Sequence, residues 1–247
     1  LCEPRRNYDG ISKKEAMKEA EEKMYLPYDE TLGINPQDDS FLQKPIWDLE
    51  HTPQEEFPLL LHYHPLHLYR YQVCKQADTV LAHYLFPDYQ DKETEENSFR
   101  YYEKITTHDS SLSTCVFSIM ASRLGLKDKA YYYFGDSAKM DLLNTHKNSK
   151  DGIHAANMGG SYMAIVNGFA RVQAEEDKLF LAPALPENWQ GYHFRIRYHG
   201  SLLEVSVNKE TCSIEQLEGT AITVELYGKE YVLEAANQKV EVPYQEN

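Results

Sequence analysis

The spacing of apolar residues changes once along this 247-residue chain, near residue 175, and that change limits the architectures open to it. Upstream, apolar side chains recur at three- and four-residue intervals, which gathers them on one face of a helix. Ser12 with Glu15 reads as a capping box opening a helix to about Met24, with Ala16, Ala20 and Met24 on one stripe. Leu66, Tyr69, Val73, Ala77, Val80, Leu81 and Tyr84 predict one strong helix that stops before Pro87. Residues 87–108 are polar and read as a loop. Asp109 then reads as the N-cap of a helix with Leu112, Val116, Ile119 and Met120 inward, stopped by Gly125. A further helix is expected over 127–143, with Ala130, Tyr133, Phe134 and Ala138 inward, and another within 153–173. The stretch 26–58, broken by Pro27, Gly33, Pro36, Pro45, Pro53 and Pro58, reads as a long irregular excursion.

Downstream the period is two. Phe194, Ile196 and Tyr198 alternate with polar residues, Leu203, Val205 and Val207 repeat the alternation after Gly200-Ser201, and short strands follow at 222–227, 231–234 and 239–242. Helices followed by a run of antiparallel strands predict two modules: a mainly α region over 1–174 and a small β domain over 175–247, of β-sandwich or jelly-roll kind.

Charge narrows the function classes. Lys and Arg number 25 against 39 Asp and Glu, a net charge of −14. Such a surface repels nucleic acid and anionic membranes, so neither is expected as a partner. No apolar run reaches the roughly 18 residues of a membrane helix. The N-terminus lacks a signal-peptide pattern, and Cys2, Cys74, Cys115 and Cys212 stand far apart, which together suit a reduced, cytoplasmic protein.

Three stretches could carry chemistry. Thr106-Thr107-His108-Asp109-Ser110-Ser111-Leu112-Ser113 sets hydroxyls at a helix start, where unpaired N–H groups attract an anion; the same residues are also ordinary helix starters. Asp151-Gly152-Ile153-His154 runs into Met158-Gly159-Gly160, where paired glycines permit close approach of a ligand or of a neighbouring helix. His62, His64 and His67 have no Cys, Asp or Glu at close spacing and read as loop or pocket lining, so no metal is expected. Lys75-Gln76-Ala77-Asp78 falls inside the expected helix 66–86, and Lys75 there points either into a cavity or along the surface.

In order and spacing, Lys75-Gln76-Ala77-Asp78, Thr106 through Ser113, Asp151 through His154 and Met158-Gly159-Gly160 resemble glycoside hydrolase family 65, nearest its maltose phosphorylase branch. Leu181 through Trp189, Phe194-Arg195-Ile196 and Leu202 through Val205 resemble that family's entry into its C-terminal β domain. The resemblance implies the last part of an (α/α)6 barrel followed by the β domain, with the general acid Glu upstream of this chain. It implies inverting phosphorolysis of an α-glucosyl disaccharide to β-glucose 1-phosphate and a sugar. Maltose is the first choice over trehalose, kojibiose and nigerose, although no residue decides among them. Ser110, Ser111, His154, His108 and Gly160 match phosphate-binding positions, and Lys75 and Gln76 match positions against the glucosyl unit. No cofactor is implied beyond phosphate as co-substrate; the implied partners are the rest of the polypeptide and, at full length, a second copy. A family 65 hydrolase of trehalase type, or a non-catalytic carbohydrate-binding fragment, are the alternatives. The chemistry favours phosphorolysis: phosphate is already an anion, so its nucleophile needs donors around it, where a hydrolase needs a carboxylate base for water.

Overall fold

Ten consecutive residues of one helix, Ser113 to Ser122, are buried, and the remainder of the helical region is arranged around them. This sequence is apolar or small on every side, so the helix has no face to offer water and must be surrounded. The computed structural model describes residues 13–145, 147 and 149–246. In chain order the helices are α1 (Lys13–Glu22), α2 (Leu59–His62), α3 (Pro65–Leu68), α4 (Asp78–Leu85), α5 (Lys92–Glu103), α6 (Ser113–Arg123), α7 (Lys127–Lys139) and α8 (Ala155–Met163). A π-helical turn, Ala164–Phe169, continues α8. Gly125, at φ +76°, makes the tight reversal between α6 and α7 that a side chain would strain.

The direction of α8 relative to α6 follows from the contacts between them. A Cβ on Gly160 would lie 2.6 Å from Cys115 Sγ, and one on Gly168 would lie 3.3 Å from the Ile119 backbone. Ser122 Oγ donates to Gly168 O at 2.9 Å. Contacts therefore advance together along both segments, so α6 and α8 run side by side in the same direction. Phe99, Phe117, Ile119, Met120 and Tyr102 centre the core that results.

The C-terminal part is a sandwich of two four-stranded sheets. The strands are β1 (Gln173–Ala174), β2 (Leu179–Leu181), β3 (Gly191–Tyr198), β4 (Ser201–Asn208), β5 (Thr211–Glu218), β6 (Thr220–Leu226), β7 (Lys229–Ala235) and β8 (Gln238–Pro243). The sheet orders are β1-β2-β6-β7 and β3-β4-β5-β8; pairing is antiparallel except between β2 and β6. His199-Gly200 and Tyr227-Gly228, all at positive φ, close two-residue hairpins whose twist matches the strands. Leu203, Val205, Ile214 and Val224 fill the space between the sheets with no exposure. Ile165 and Tyr192 pack against both cores. Trp189, 5.2 Å from the Phe134 ring and 5.3 Å from Phe169, fastens the sandwich to the helices.

Several expectations change. Ser12 and Cys2 lie outside the described residues, and α1 buries nothing. The expected single helix 66–86 is two short helices separated by extended chain, because Gln72 N bonds to Pro45 O and Cys74 N to Ile105 O, both at 2.8 Å. Lys75 and Gln76 therefore stand in the turn before α4, not inside a helix. The expected loop 87–108 contains α5, capped by Asp91, whose carboxylate accepts from Thr94 N at 2.8 Å. Asp109 is not the cap of α6, since its carboxylate accepts from Leu59 N at 3.1 Å and Leu112, at the cap position, is exposed. Helix α7 ends at Lys139 rather than 143.

Candidate functional site

Two isolated parallel bridges bring the loop residues together. Ile46 pairs with Gln72 and Cys74 with Thr106, both parallel. Thr107 N then donates to Cys74 O at 2.9 Å. Parallel pairing sends each chain out at the same end, so Lys75-Gln76 and Thr107-His108 leave the bridge as neighbours. Lys75 is exposed, and the half-buried Gln76 donates its amide to Asp78 Oδ1 at 2.9 Å.

His108 turns the chain into α6. Its φ of 56° lies in the left-handed region, where histidine is less uncommon than a branched residue. Its ring packs edge-on to Phe117 at 4.7 Å and tilted to Tyr133 at 5.3 Å, with Nδ1 2.9 Å from Ser113 Oγ. Burial holds this imidazole down at about 4, against a weaker opposing pull from Glu103, so it is neutral at pH 7. Tyr133 OH in turn donates to Glu103 Oε1 at 3.0 Å, and Lys129 Nζ pairs with the same carboxylate at 2.6 Å.

Residues 110–113 form a turn, with Ser113 N donating to Ser110 O at 3.1 Å. Ser110 Oγ accepts from Leu112 N at 3.4 Å, and Ser110 and Ser111 are both half-buried. No side chain caps the N-terminus of α6, and Thr114 Oγ1 in its first turn is buried with no hydrogen-bond partner. Orphan N–H groups beside an unsatisfied hydroxyl, at the positive end of a helix dipole, make a setting that favours an anion.

His154 stands at the N-cap of α8, which also lacks a side-chain cap. Asp141, just beyond α7, holds it twice: Oδ2 accepts from His154 N at 2.9 Å and Oδ1 lies 2.6 Å from Nδ1. Because α6 and α8 run in parallel, the serine turn and His154 lie at the same end of the helix pair. Buried Ser137 and Asn157 tie α7 to α8 beneath that end, Ser137 Oγ donating to Asn157 Oδ1 at 2.8 Å. Gly160 lies deeper, buried against Cys115, where its missing side chain serves helix packing.

The seven residues singled out from the sequence thus fall into three groups. Ser110 and Ser111 share one end of the helices with His154; Lys75 and Gln76 border that segment through the Cys74–Thr106 bridge; His108 and Gly160 are occupied in packing. Asp141 and Thr114 were missed. No motif marks either one, although an Asp following the last turn of a helix is a weak signal for a loop-holding carboxylate. Of the histidine run, His64 caps α3 through Nδ1, and His67 joins an aromatic cluster around Trp47. A cleft of about 440 Å³, lined by Tyr84, Arg123 and Gln173, opens at the opposite end of α6 and is not continuous with the serine turn.

Comparison with known proteins follows these divisions. The family model described as the glycosyl hydrolase family 65 central catalytic domain matches residues 7–163. The model of that family's C-terminal domain matches residues 172–233. An α,α-trehalose phosphorylase of Geobacillus stearothermophilus is 60% identical over 214 residues, covering 87% of this chain and 28% of the relative. A maltose phosphorylase of Bacillus subtilis is 34% identical over 220 residues, covering 89% of this chain and 29% of the relative. A solved structure named “Putative kojibiose phosphorylase from human microbiome” superposes with a TM-score of 0.85 at 32% identity, covering 96% of this chain and 35% of that one. This chain therefore spans about a third or less of the length of these relatives. The match to the catalytic-domain model over more than half of the chain makes it a member of glycoside hydrolase family 65.

Proposed function

We propose that this chain is part of an inverting phosphorylase that cleaves an α-glucosyl disaccharide with inorganic phosphate, giving β-glucose 1-phosphate and a free sugar. The observation that carries the reading is the pair of parallel helices whose N-termini, one at the Ser110–Ser113 turn and one at His154, lie at the same end, neither capped by the side chain of its own N-cap residue. Phosphate held there by Ser110, Ser111, His154 and helix N–H groups keeps its charge and needs no base. It attacks the anomeric carbon from the face opposite the departing oxygen, and a Glu elsewhere in the polypeptide protonates that oxygen. Lys75 and Gln76 face the glucosyl unit. His108 and Gly160, assigned from the sequence to phosphate, act from behind: one shapes the turn and the other lets α8 approach α6.

The disaccharide proposed first is α,α-trehalose, because a relative 60% identical to this chain bears that name, against 34% for the maltose phosphorylase. Maltose, the first choice from the family resemblance, is the comparison substrate. The remainder of the polypeptide closes the site. Leu142, Leu143 and Ile153, beside His154, are 69–83% exposed, an apolar rim suited to cover.

The test is the double variant Ser110→Ala/Ser111→Ala in the full-length protein, assayed with trehalose and with maltose. Each charge-assisted bond lost removes about 1.5–3 kcal/mol, so kcat/KM for phosphate falls by at least 100-fold while the disaccharide KM holds. Unchanged phosphate kinetics, or hydrolysis of the disaccharide without phosphate, would reject the proposal.

A further inference from the structure

We infer that Asp141 is the positioning residue of the oxyanion site, acting through His154. This inference rests on the phosphorolysis reading above. Asp141 spends one carboxylate oxygen on the His154 backbone N–H and the other on Nδ1, at 2.9 and 2.6 Å. Both partners are largely shielded, with side chains 13% and 20% exposed. Two bonds from one rigid carboxylate set both the position of the α8 N-terminus and the direction of the ring. The imidazole edge opposite Nδ1 is thereby aimed away from Asp141.

The chemistry of that arrangement is specific. With Nδ1 turned to the Asp141 carboxylate, Nε2 is the ring nitrogen on the side away from it, the edge that would meet an oxyanion. Asp141 never meets the oxyanion; the imidazole separates two anions that would repel at contact. Carboxylates placed in this way behind metal-bound histidines fix the ring and strengthen it as a ligand, and losing one there costs about 10–100-fold; Asp141 holds the same relation to His154. A carboxylate serving only as a cap for α8 would bond the backbone N–H and leave the ring alone, and here it does both.

A double-mutant cycle on the full-length protein tests this, using trehalose and inorganic phosphate. Asp141→Asn keeps the shape and the bond to the backbone N–H but turns a donor toward Nδ1. We expect it to raise the phosphate KM about 10-fold or more, with the disaccharide KM changed less than about 2-fold. In a His154→Gln background, adding Asp141→Asn leaves the phosphate KM within about 2-fold, because the ring through which Asp141 acts is gone. If Asp141→Asn does not fold, Asp141→Glu enters the same cycle, since its longer side chain keeps the charge and misdirects the ring. Independent, multiplicative effects of the two substitutions, or an equal loss in disaccharide KM, would overturn the inference while leaving phosphorolysis standing. Absence of phosphate-dependent cleavage by the wild-type protein would overturn both.

Discussion

Along α6, Cys115 meets Gly160 and Ile119 meets Gly168, so backbones approach where side chains are missing. Across the sandwich, Leu203, Val205, Ile214 and Val224 hold two sheets apart with branched aliphatic side chains. The two regions also differ in what they do with buried polar groups. In the helical region three polar pairs lie toward one end, His108–Ser113, Ser137–Asn157 and Asp141–His154, and buried Ser118 and Ser122 bond backbone carbonyls further along α6. In the sandwich, Gln216 and Ser201 bond at one edge around Thr220 O, and the core between the sheets is apolar. The comparison teaches that the helices set several polar pairs between packed elements, whereas the sheets hold Gln216 and Ser201 at one edge and fill the space between them with apolar side chains. Buried polar pairs specify geometry but are sensitive to the loss of either partner.

The contrast is sharpest in the sandwich core. Leu203→Ala should destabilise by about 2–5 kcal/mol through the cavity it leaves, and Leu203→Met by less than about 1.5 kcal/mol. Urea unfolding followed by circular dichroism measures both, and near-equal losses would mean that the sheets depend on shape as closely as the helices do.

Acid should separate the regions next. The fold keeps His108 neutral, and burial holds it at about 4 instead of the ordinary 6.5. The unfolded ring takes up its proton near 6.5, so the stability from burying it neutral is present above that pH. It is lost progressively as pH falls from 6.5 to 4, in all about 3 kcal/mol. Protection factors of amides across α6 and α7, taken relative to the intrinsic exchange rate at each pH, should fall over that window, and His108→Asn, which tolerates the positive φ, should flatten the slope. Protection factors unchanged with pH at these amides would contradict this.

The smallest of the three effects is at the helix contact. Gly160→Ala puts a methyl 2.6 Å from Cys115 Sγ and should cost about 1–3 kcal/mol. Cys115→Ala should recover much of that loss in the double variant, since the two sites share one space. Additive losses would show that the glycine is required for a different reason.

The parts of the molecule legible in the sequence are those in which one face is apolar. The alternation of Phe194, Ile196 and Tyr198 predicts β3, and these are the residues that turn inward. The inward set of α7, Ala130 and Tyr133, is equally plain. Helix α5 escapes because two of its four buried residues, Thr94 and Ser98, are hydroxyl residues, so no apolar stripe appears beside Phe99 and Tyr102. The Asp91-x-x-Thr94 cap and the Glu96–Arg100 pair were the signals available. In the candidate site, the motifs name Ser110, Ser111 and His154 but not Asp141, which is thirteen residues from its partner.

By itself the sequence determined the change from helices to strands, the family and the residue types at the helix starts, because these rest on local spacing and short motifs. Only the tertiary structure decided that chain 69–77 is a turn followed by bridged chain rather than helix, because backbone bonds from Gln72 to Pro45 and from Cys74 to Ile105 outweigh a helical preference that local spacing alone records. It alone decided that His108 faces a core while His154 faces a carboxylate. Both are histidines beside helix starts, and their different environments come from Phe117, Tyr133 and Asp141, residues that the fold brings to them.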